Sequence, residues 1–139
     1  MIKIFYGNKG MGKTKMLVDT ANSLVVKGTG DIVFIDDSNQ LMYDLKHDIR
    51  FINVSEFPIK LNSSGLLGLL CGIVSENYDI NGILIDGLTY ILGQEAGLLK
   101  EFFDDLDKIS KKFNIDFYIS INGGLESVPE FLTEYISKL

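Results

Sequence analysis

The sequence predicts an α/β domain in which strands and helices alternate around a mostly parallel sheet. Short runs of β-branched and aromatic residues recur along the chain, and stretches whose apolar residues have helical spacing separate them. The run Ile32–Ile35 contains no polar residue, which is typical of a parallel strand that is covered on both faces. Because the chain has 139 residues, we expect a single domain spanning residues 1–139.

The first three predicted elements are a strand, a helix and a second strand. Residues Ile2–Tyr6 form the first strand, which stops at Gly7. A helix follows from Lys13, because the next apolar residues recur on one helical face. That face consists of Leu17, Ala21, Leu24 and Val25. Gly28 favours the left-handed conformation that ends a helix, and Ile32–Ile35 then form the second strand.

The middle of the chain is predicted to hold a short helix, a third strand, a longer helix and a fourth strand. We place the short helix at residues 40–45 and the third strand at residues 50–54. Residues 66–74 are too long and too rich in leucine for a strand, so we predict a helix there. The fourth strand, Ile83–Ile85, ends in Asp86 and Gly87.

The last third contains the most regular helical pattern of the chain. Its apolar face consists of Leu99, Phe102, Leu106, Ile109 and Phe113. A fifth strand, Phe117–Ile121, follows and leads into Asn122. A final helix is predicted from Ser127, because the run Ser127–Glu130 has the spacing of a capping box with a proline in the first turn.

Composition and charge exclude several classes of protein. The net charge is −6 and the basic residues are scattered, so we expect no nucleic-acid partner. Cys71 and His47 are the only cysteine and histidine, which excludes zinc ribbons and disulfide frameworks; we expect a buried Cys71 and an exposed His47. The longest apolar stretch, Gly65–Val74, is about half of a membrane span. With no export signal before Ile2, we expect a cytoplasmic protein without membrane insertion.

One motif carries chemistry. Residues 7–14 match the pattern G-x-x-x-x-G-K-[ST], the phosphate-binding loop called Walker A, and lie between a predicted strand and a predicted helix. Glycines let successive backbone N–H groups point at an anion, and the helix N-terminus adds its dipole. Lys13 would reach the β- and γ-phosphates, and the Thr14 hydroxyl would ligate Mg²⁺. The predicted nucleotide-binding residues are Gly7, Asn8, Lys9, Gly10, Met11, Gly12, Lys13, Thr14, Lys15 and Asn122.

With this motif, the chain resembles the P-loop NTPase superfamily over essentially its whole length. It is also similar to small single-domain P-loop proteins of Gram-positive bacteria that are sometimes labelled after the twitching-motility ATPases. The segments that carry this second resemblance are Phe5-Tyr6-Gly7, Phe34-Ile35-Asp36-Asp37 and Met42-Tyr43-Asp44-Leu45-Lys46-His47. The resemblance implies a three-layer fold with a five-stranded sheet in the order 1-5-4-2-3.

The resemblance also implies an acidic magnesium ligand at the end of a buried strand. Asp86, after Ile83–Ile85, matches this Walker B pattern and is the first choice, while Asp36 matches it too. Asn122 would take the place of a polar sensor of the γ-phosphate, with Ser120 as an alternative. Plainer interpretations stay open: either aspartate starts a turn at a strand end, and Asn122 forms an ordinary Asn-Gly turn.

The function implied is Mg²⁺-dependent binding of a purine nucleoside triphosphate, ATP rather than GTP. GTPases read guanine with an Asn/Thr-Lys-x-Asp motif, and the run Asn8–Met11 begins that way but ends in methionine. We expect a slow or partner-activated ATPase with Lys13, Asp86 and Asp36 as catalytic residues.

Slow turnover is expected because two groups that accelerate hydrolysis in related ATPases are missing from their usual places. Gly87 stands where many members of this branch have a glutamate, and Arg50 is the only arginine, so an arginine finger would have to be Arg50 itself, in cis or from a neighbouring subunit. The alternatives are a nucleotide-dependent switch without hydrolysis and a small-molecule kinase. We also expect a protein partner or self-association, because so small a domain has no further module of its own.

Overall fold

The computed structural model describes residues 1–137, so the last two positions of the predicted domain 1–139 lie outside the described residues. Within the described part of the chain, six strands form one sheet in which every pair of neighbours is parallel. The strands are β1 (Ile2–Gly7), β2 (Asp31–Asp36), β3 (Arg50–Asn53), β4 (Ile80–Ile85), β5 (Asp116–Asn122) and β6 (Ile136–Ser137). Their order across the sheet is β3-β2-β4-β5-β1-β6. The predicted α/β class with a parallel sheet is therefore confirmed.

Helices cover both faces of the sheet. They are α1 (Lys13–Lys27), α2 (Ser63–Glu76), α3 (Leu88–Leu92) and α4 (Lys100–Phe113). On one face, α1 packs Leu17, Val18 and Ala21 into a core with Phe34 and Leu84 of the strands. On the other face, α2, α3 and α4 pack against alternate residues of the same strands, such as Ile35 and Ile85. Each strand thus contributes apolar side chains in both directions, which explains why polar alternation is missing from its sequence.

The predicted sheet of five strands is wrong in its strand count and in its full order. A sixth strand, β6, pairs with the outer side of β1, with Ile4 opposite Ile136 and Phe5 opposite Ser137. The five strands that were predicted have the neighbours expected for the order 1-5-4-2-3, so the correction is the addition of β6 at the edge. Its pairing satisfies backbone groups of β1 that would otherwise lie at an open edge.

The final helix predicted from Ser127 is also wrong. Residues Leu125–Ser127 and Glu130–Tyr135 form 3₁₀ turns, and the chain then enters β6. The Ser127 hydroxyl donates a 3.3 Å hydrogen bond back to the Gly124 carbonyl, and Pro129 has extended backbone angles. The capping box therefore does not start a helix.

Shorter corrections apply in the middle of the chain. The helix predicted at residues 40–45 is a 3₁₀ turn, Met42–Asp44, and α3 was not predicted at all. His47 is exposed, as predicted. Cys71 is exposed rather than buried, because the buried positions of α2 are Leu66, Leu70 and Val74, and the residue after Leu70 is turned about 100° away from that face. No helix within residues 1–137 has both the length and the apolar character needed to cross a membrane.

Helix α4 holds the C-terminal segment against the sheet. Phe103 is fully buried, and its ring lies 6.0 Å from that of Tyr135 and 6.4 Å from that of Phe131, measured between centroids. Aromatic pairs at these distances add stabilisation beyond their burial of apolar surface. The position of β6 beside β1 therefore depends on apolar packing from α4.

We expect the substitution Phe103→Ala to lower the free energy of unfolding by about 3–5 kcal/mol, because it removes a fully buried ring and leaves a cavity. It should also make residues 130–137 more susceptible to proteolysis in the native state. Urea denaturation and limited proteolysis measure these two effects. The control is Tyr43→Ala, at a side chain that is 90% exposed, with an expected change within about 0.5 kcal/mol. A loss as small for Phe103→Ala as for the control would contradict this packing.

Candidate functional site

The register of the parallel strands brings polar residues together at one edge of the sheet. Ile35 is opposite Ile85, so Asp36 and Asp86 follow at the ends of neighbouring strands. In the same way, Ile85 is opposite Ile119, and Ser120 comes next on β5. All strands are parallel, so these carboxyl ends face the same side, where ligands of open α/β sheets commonly bind.

The loop between β1 and α1 lies at this edge. Gly10 and Gly12 have φ angles of 90° and 85°, a conformation that residues with a side chain rarely adopt. Gly12 is the residue before the first turn of α1, and no side chain of residues 1–137 caps that turn. The first N–H groups of α1 therefore remain available to an anion, and the helix dipole favours negative charge there.

Lys13 is the charged residue inside this loop. It is only 5% exposed, and its Nζ donates a 2.7 Å hydrogen bond to the Asn8 carbonyl across the loop. Burial lowers the pKa of Lys13, and the negative charge of Asp86 opposes that shift. One of the three ammonium donors is used by this bond, so the same group has donors for a further acceptor.

Asp86 is connected to α1 and to β5 by hydrogen bonds. The Thr14 hydroxyl donates to its two carboxylate oxygens at 3.1 and 3.3 Å. The Ser120 hydroxyl donates to Oδ1 at 2.5 Å and accepts the Gly87 N–H at 2.7 Å. Ser120 is 2% exposed, and this partly buried contact holds the Asp86 carboxylate in one orientation.

Asp36 is the second acidic residue of the site and is 4% exposed. Its carboxylate accepts the Asp37 N–H at 2.8 Å and the Ser38 hydroxyl at 3.4 Å. Burial raises the pKa of Asp36 to about 7; the Asp37 N–H opposes the shift, and the negative charges of Asp86 and Asp37 add to it. Asp36 is therefore a carboxyl group that can gain or lose a proton near neutral pH.

These groups surround an open cleft of about 830 Å³. Its lining residues from the loop and α1 are Lys9, Gly10, Gly12, Lys13 and Thr14. Its lining residues from the strand ends and following turns are Asp36, Asp37, Ser38, Gln40, Asp86, Gly87, Tyr90, Ser120 and Asn122. Cations thus line one wall and carboxylates the other, a distribution that suits an anion accompanied by a cation.

Oxygen donors of the kind that Mg²⁺ prefers meet at the contact between Thr14 and Asp86. A hydroxyl and a carboxylate supply two protein ligands, and Mg²⁺ usually completes its six with water and phosphate oxygens. The donor set at this point therefore fits a hard divalent cation.

The predicted site residues differ in how they take part in this cleft. Gly7 ends β1 opposite Asn122, and Asn8 contributes its carbonyl to Lys13. Met11 is 41% exposed, and Lys15 points along α1 to Asp19, with which it forms a 2.7 Å ion pair. Neither of these two side chains lines the cleft.

Ser120, predicted only as an alternative to Asn122, is the residue of β5 that contacts Asp86. Asn122 lines the cleft but is exposed, whereas Ser120 is buried and bonded to Asp86. The signal that identifies Ser120 is its position: it is the one serine within a strand interior of aliphatic and aromatic residues, and it follows Ile119, which is opposite the last residue of β4.

Comparison with models of known protein families yields no match, and no curated protein sequence matches the chain. The functional interpretation therefore depends on the residues of the cleft and on their geometry.

We expect the free energy of unfolding to fall as the pH rises from about 4 to about 7, with Asp36 as the cause. In this range the native protein keeps a proton on Asp36 that the unfolded chain has lost, since the pKa is about 7 in the fold and 3.8 in the unperturbed residue. The substitution Asp36→Asn stays neutral and removes this loss. Its stability relative to wild type should increase by roughly 2–4 kcal/mol between about pH 5 and about pH 8, because one pKa unit corresponds to about 1.4 kcal/mol.

Urea denaturation at the two pH values measures the effect, and Asp48→Asn, at an exposed carboxylate, is the matched control. A stability difference between Asp36→Asn and wild type that does not change with pH would contradict the burial of an ionisable Asp36.

Proposed function

We propose that the chain binds a purine nucleoside triphosphate together with Mg²⁺, ATP in preference to GTP, and hydrolyses it slowly or upon activation by a partner. The observation that carries this proposal is the contact between the Thr14 hydroxyl and the Asp86 carboxylate. It joins the first turn of α1, directly after a glycine-rich loop, to the end of a buried strand. This is the arrangement expected of a P-loop protein whose Walker A threonine and Walker B aspartate share a metal ion.

In this proposal the loop and Lys13 bind the phosphates. The N–H groups at the start of α1 would bind phosphate oxygens, and the Lys13 ammonium would exchange its bond with the Asn8 carbonyl for bonds to the β- and γ-phosphates. Thr14 and Asp86 would hold Mg²⁺, which when bound neutralises charge on the phosphate oxygens.

Asp36 is the residue that we propose to orient the attacking water. It lines the same cleft as Lys13 and Asp86, it is buried, and its pKa of about 7 lets its carboxylate accept a proton under physiological conditions. The fold gives no other place for such a group directly after Asp86. Gly87 has a φ of 72°, so the glutamate found at this point in many related ATPases would be strained there.

The position of the only arginine supports slow turnover. Arg50 begins β3, an edge strand, and is opposite Val33, whereas Asp36 is opposite Asn53 at the end of the same pairing. Three residues of strand separate Arg50 from the cleft edge, roughly 10 Å at the usual rise per residue. A catalytic arginine, where one is used, accelerates hydrolysis by about 10³ to 10⁵. We therefore propose that a neighbouring molecule supplies the missing acceleration.

A second candidate function is a nucleotide-dependent switch without turnover, and α3 is the observation that favours it. This helix has five residues and lies between Gly87 and Gly93, both with left-handed backbone angles. Only Gly87 separates it from Asp86, so a change at the metal site would act directly on its first turn. In this case ATP and ADP would give different hydrogen-exchange protection in residues 86–94.

We expect calorimetric titration of the wild type to detect MgATP and MgADP binding, with weaker binding of MgGTP. The substitution Lys13→Ala should lower the affinity for MgATP by roughly 10- to 100-fold, because a hydrogen bond to a charged group contributes about 1.5–3 kcal/mol. Lys27→Ala, at the other end of α1, is the matched control and should leave the affinity unchanged. Equal MgATP affinity in both variants, or no binding by the wild type, would refute the proposed phosphate site.

The metal part of the proposal has its own test. Thr14→Val keeps the shape of the side chain but removes the hydroxyl that contacts Asp86, so ATP affinity should fall in the presence of Mg²⁺ and stay unchanged in EDTA. Thr14→Ser retains the hydroxyl and should bind as the wild type does. A Thr14→Val protein that responds to Mg²⁺ like the wild type would show that the metal is held elsewhere.

Slow hydrolysis should appear as phosphate release above that of Lys13→Ala, measured with and without candidate partners. Asp36→Asn should lower phosphate release below that of the wild type while retaining MgATP binding. The reason is that the change removes a proton acceptor and keeps the volume of the side chain. Nucleotide binding with no phosphate release under any of these conditions would instead favour the switch.

A further inference from the structure

A second cleft, of about 610 Å³, lies beside the first and shares Asn122 with it. It opens on the face of the sheet that carries α3 and α4, between the turn after α3 and the turn after β5. Its polar lining consists of Tyr6, Thr89, Gln94, Glu95, Asn122 and Ser127. Small residues make up the rest of the wall, so the cleft has room for a ligand of the size of a monosaccharide or a nucleoside.

The hydroxyl of Tyr6 is the feature of this cleft that the fold itself does not explain. Tyr6 is 4% exposed, yet its hydroxyl makes no hydrogen bond within residues 1–137. Every fully buried polar side-chain atom among these residues has a hydrogen-bond partner. The unpaired Tyr6 hydroxyl must therefore keep some contact with solvent, and Tyr6 lines the cleft. A side chain at position 123 would collide with this hydroxyl, so the absence of a Cβ at Gly123 leaves the space that the hydroxyl occupies.

The charge of the second cleft differs from that of the first. Within residues 1–137 no lysine or arginine lines it, and Glu95 does. Burial, together with the negative charge of Glu126, raises the pKa of Tyr6, so the phenol remains protonated and able to donate. An anionic ligand would therefore be repelled, and the phosphates of a nucleotide belong to the first cleft.

The remaining polar groups of the wall are neutral and can both donate and accept hydrogen bonds. Thr89 and Ser127 carry hydroxyls, Gln94 and Asn122 carry amides, and the Tyr6 phenol completes the set. Hydroxyl groups of a ligand also donate and accept, so a molecule with several of them can pair with such a wall without leaving a buried group unsatisfied.

We propose that this second cleft binds an uncharged small molecule with several hydroxyl groups, a sugar or the sugar ring of a nucleoside, through the Tyr6 hydroxyl. The site is separate from the phosphate-binding loop, so the proposal stands whether or not the first cleft binds a nucleotide. The shared Asn122 places the bound molecule next to the first cleft.

The test is protein-observed NMR titration with ribose, glucose, myo-inositol, adenosine and uridine, each up to millimolar concentrations. We expect at least one of these probes to shift the signals of Tyr6 and of residues 93–97 in the wild type. Tyr6→Phe should lower the affinity for that probe by roughly 2- to 10-fold, as expected for the loss of a neutral hydrogen bond. Tyr118→Phe is the matched control, because Tyr118 is a similarly buried tyrosine whose side chain belongs to the opposite face of the sheet.

Two results would overturn the proposal: no probe binds the wild type, or Tyr6→Phe binds the probes as tightly as the wild type does. Loss of fold does not confuse the test, because Tyr6→Phe removes a hydroxyl that makes no hydrogen bond within residues 1–137. Gln94→Ala, at an exposed residue of the rim, is a second variant with the same expected direction. Lys13→Ala should retain probe binding, which distinguishes failure of this site from failure of the nucleotide site.

Discussion

The parallel register of β2, β4 and β5 is the constraint on which the candidate site depends. Three strands that run in the same direction must end at the same edge, which brings together Asp36 at the end of β2, Asp86 directly after β4 and Ser120 near the end of β5. Apolar side chains on both faces of each strand hold this register, because a slip by one residue would move every buried side chain to the wrong face. The chemistry of the edge is thus a consequence of the packing of the core.

The same packing has an electrostatic cost that the cleft only partly offsets. Lys13 and Asp36 are both at least 95% buried, and burial shifts the pKa of each toward its neutral form. Backbone groups compensate for part of this cost, through the Asn8 carbonyl on Lys13 and the Asp37 N–H on Asp36. Under the proposed function, phosphate oxygens at Lys13 and a divalent cation at Asp86 would compensate for the remainder, so ligand binding would stabilise the fold itself.

Local patterns in the sequence were sufficient for most of the fold. The apolar runs of the first five strands and the helical faces of α1 and α4 are strong signals, and the strands and helices predicted from them are confirmed. The helix predicted in the C-terminal segment was wrong because capping-box spacing is a local signal, whereas long-range contacts decide the structure of this segment. Phe131 and Tyr135 pack on Phe103, and Ile136 pairs with β1, more than a hundred residues away in the chain.

The residues of the candidate site also fall into those that local sequence patterns predict and those that depend on long-range contacts. The loop residues and the two aspartates follow a spacing that can be recognised in the sequence, and the fold brings Lys13, Thr14, Asp36 and Asp86 to one cleft. Ser120 and Tyr6 carry no such spacing. Ser120 contacts Asp86 because β5 lies next to β4, and the Tyr6 hydroxyl takes its position because Gly123 has no Cβ there. Both depend on neighbours in space, which a single sequence does not specify.

Gly87 links Asp86 of the candidate site to helix α3. Its left-handed backbone turns the chain out of β4 and into α3, while its N–H bonds to the Ser120 hydroxyl that also holds Asp86. One short hydrogen-bond chain therefore links the Thr14 hydroxyl, the Asp86 carboxylate and the first turn of α3. A glutamate at this position would strain that turn and weaken the link. The Gly87 conformation that disfavours a glutamate thus also connects Asp86 to α3. If Asp86 holds a metal ion as proposed, a change at the metal would reach α3 through this connection. Thr89 of α3 lines the second cleft, so the change would reach that cleft as well.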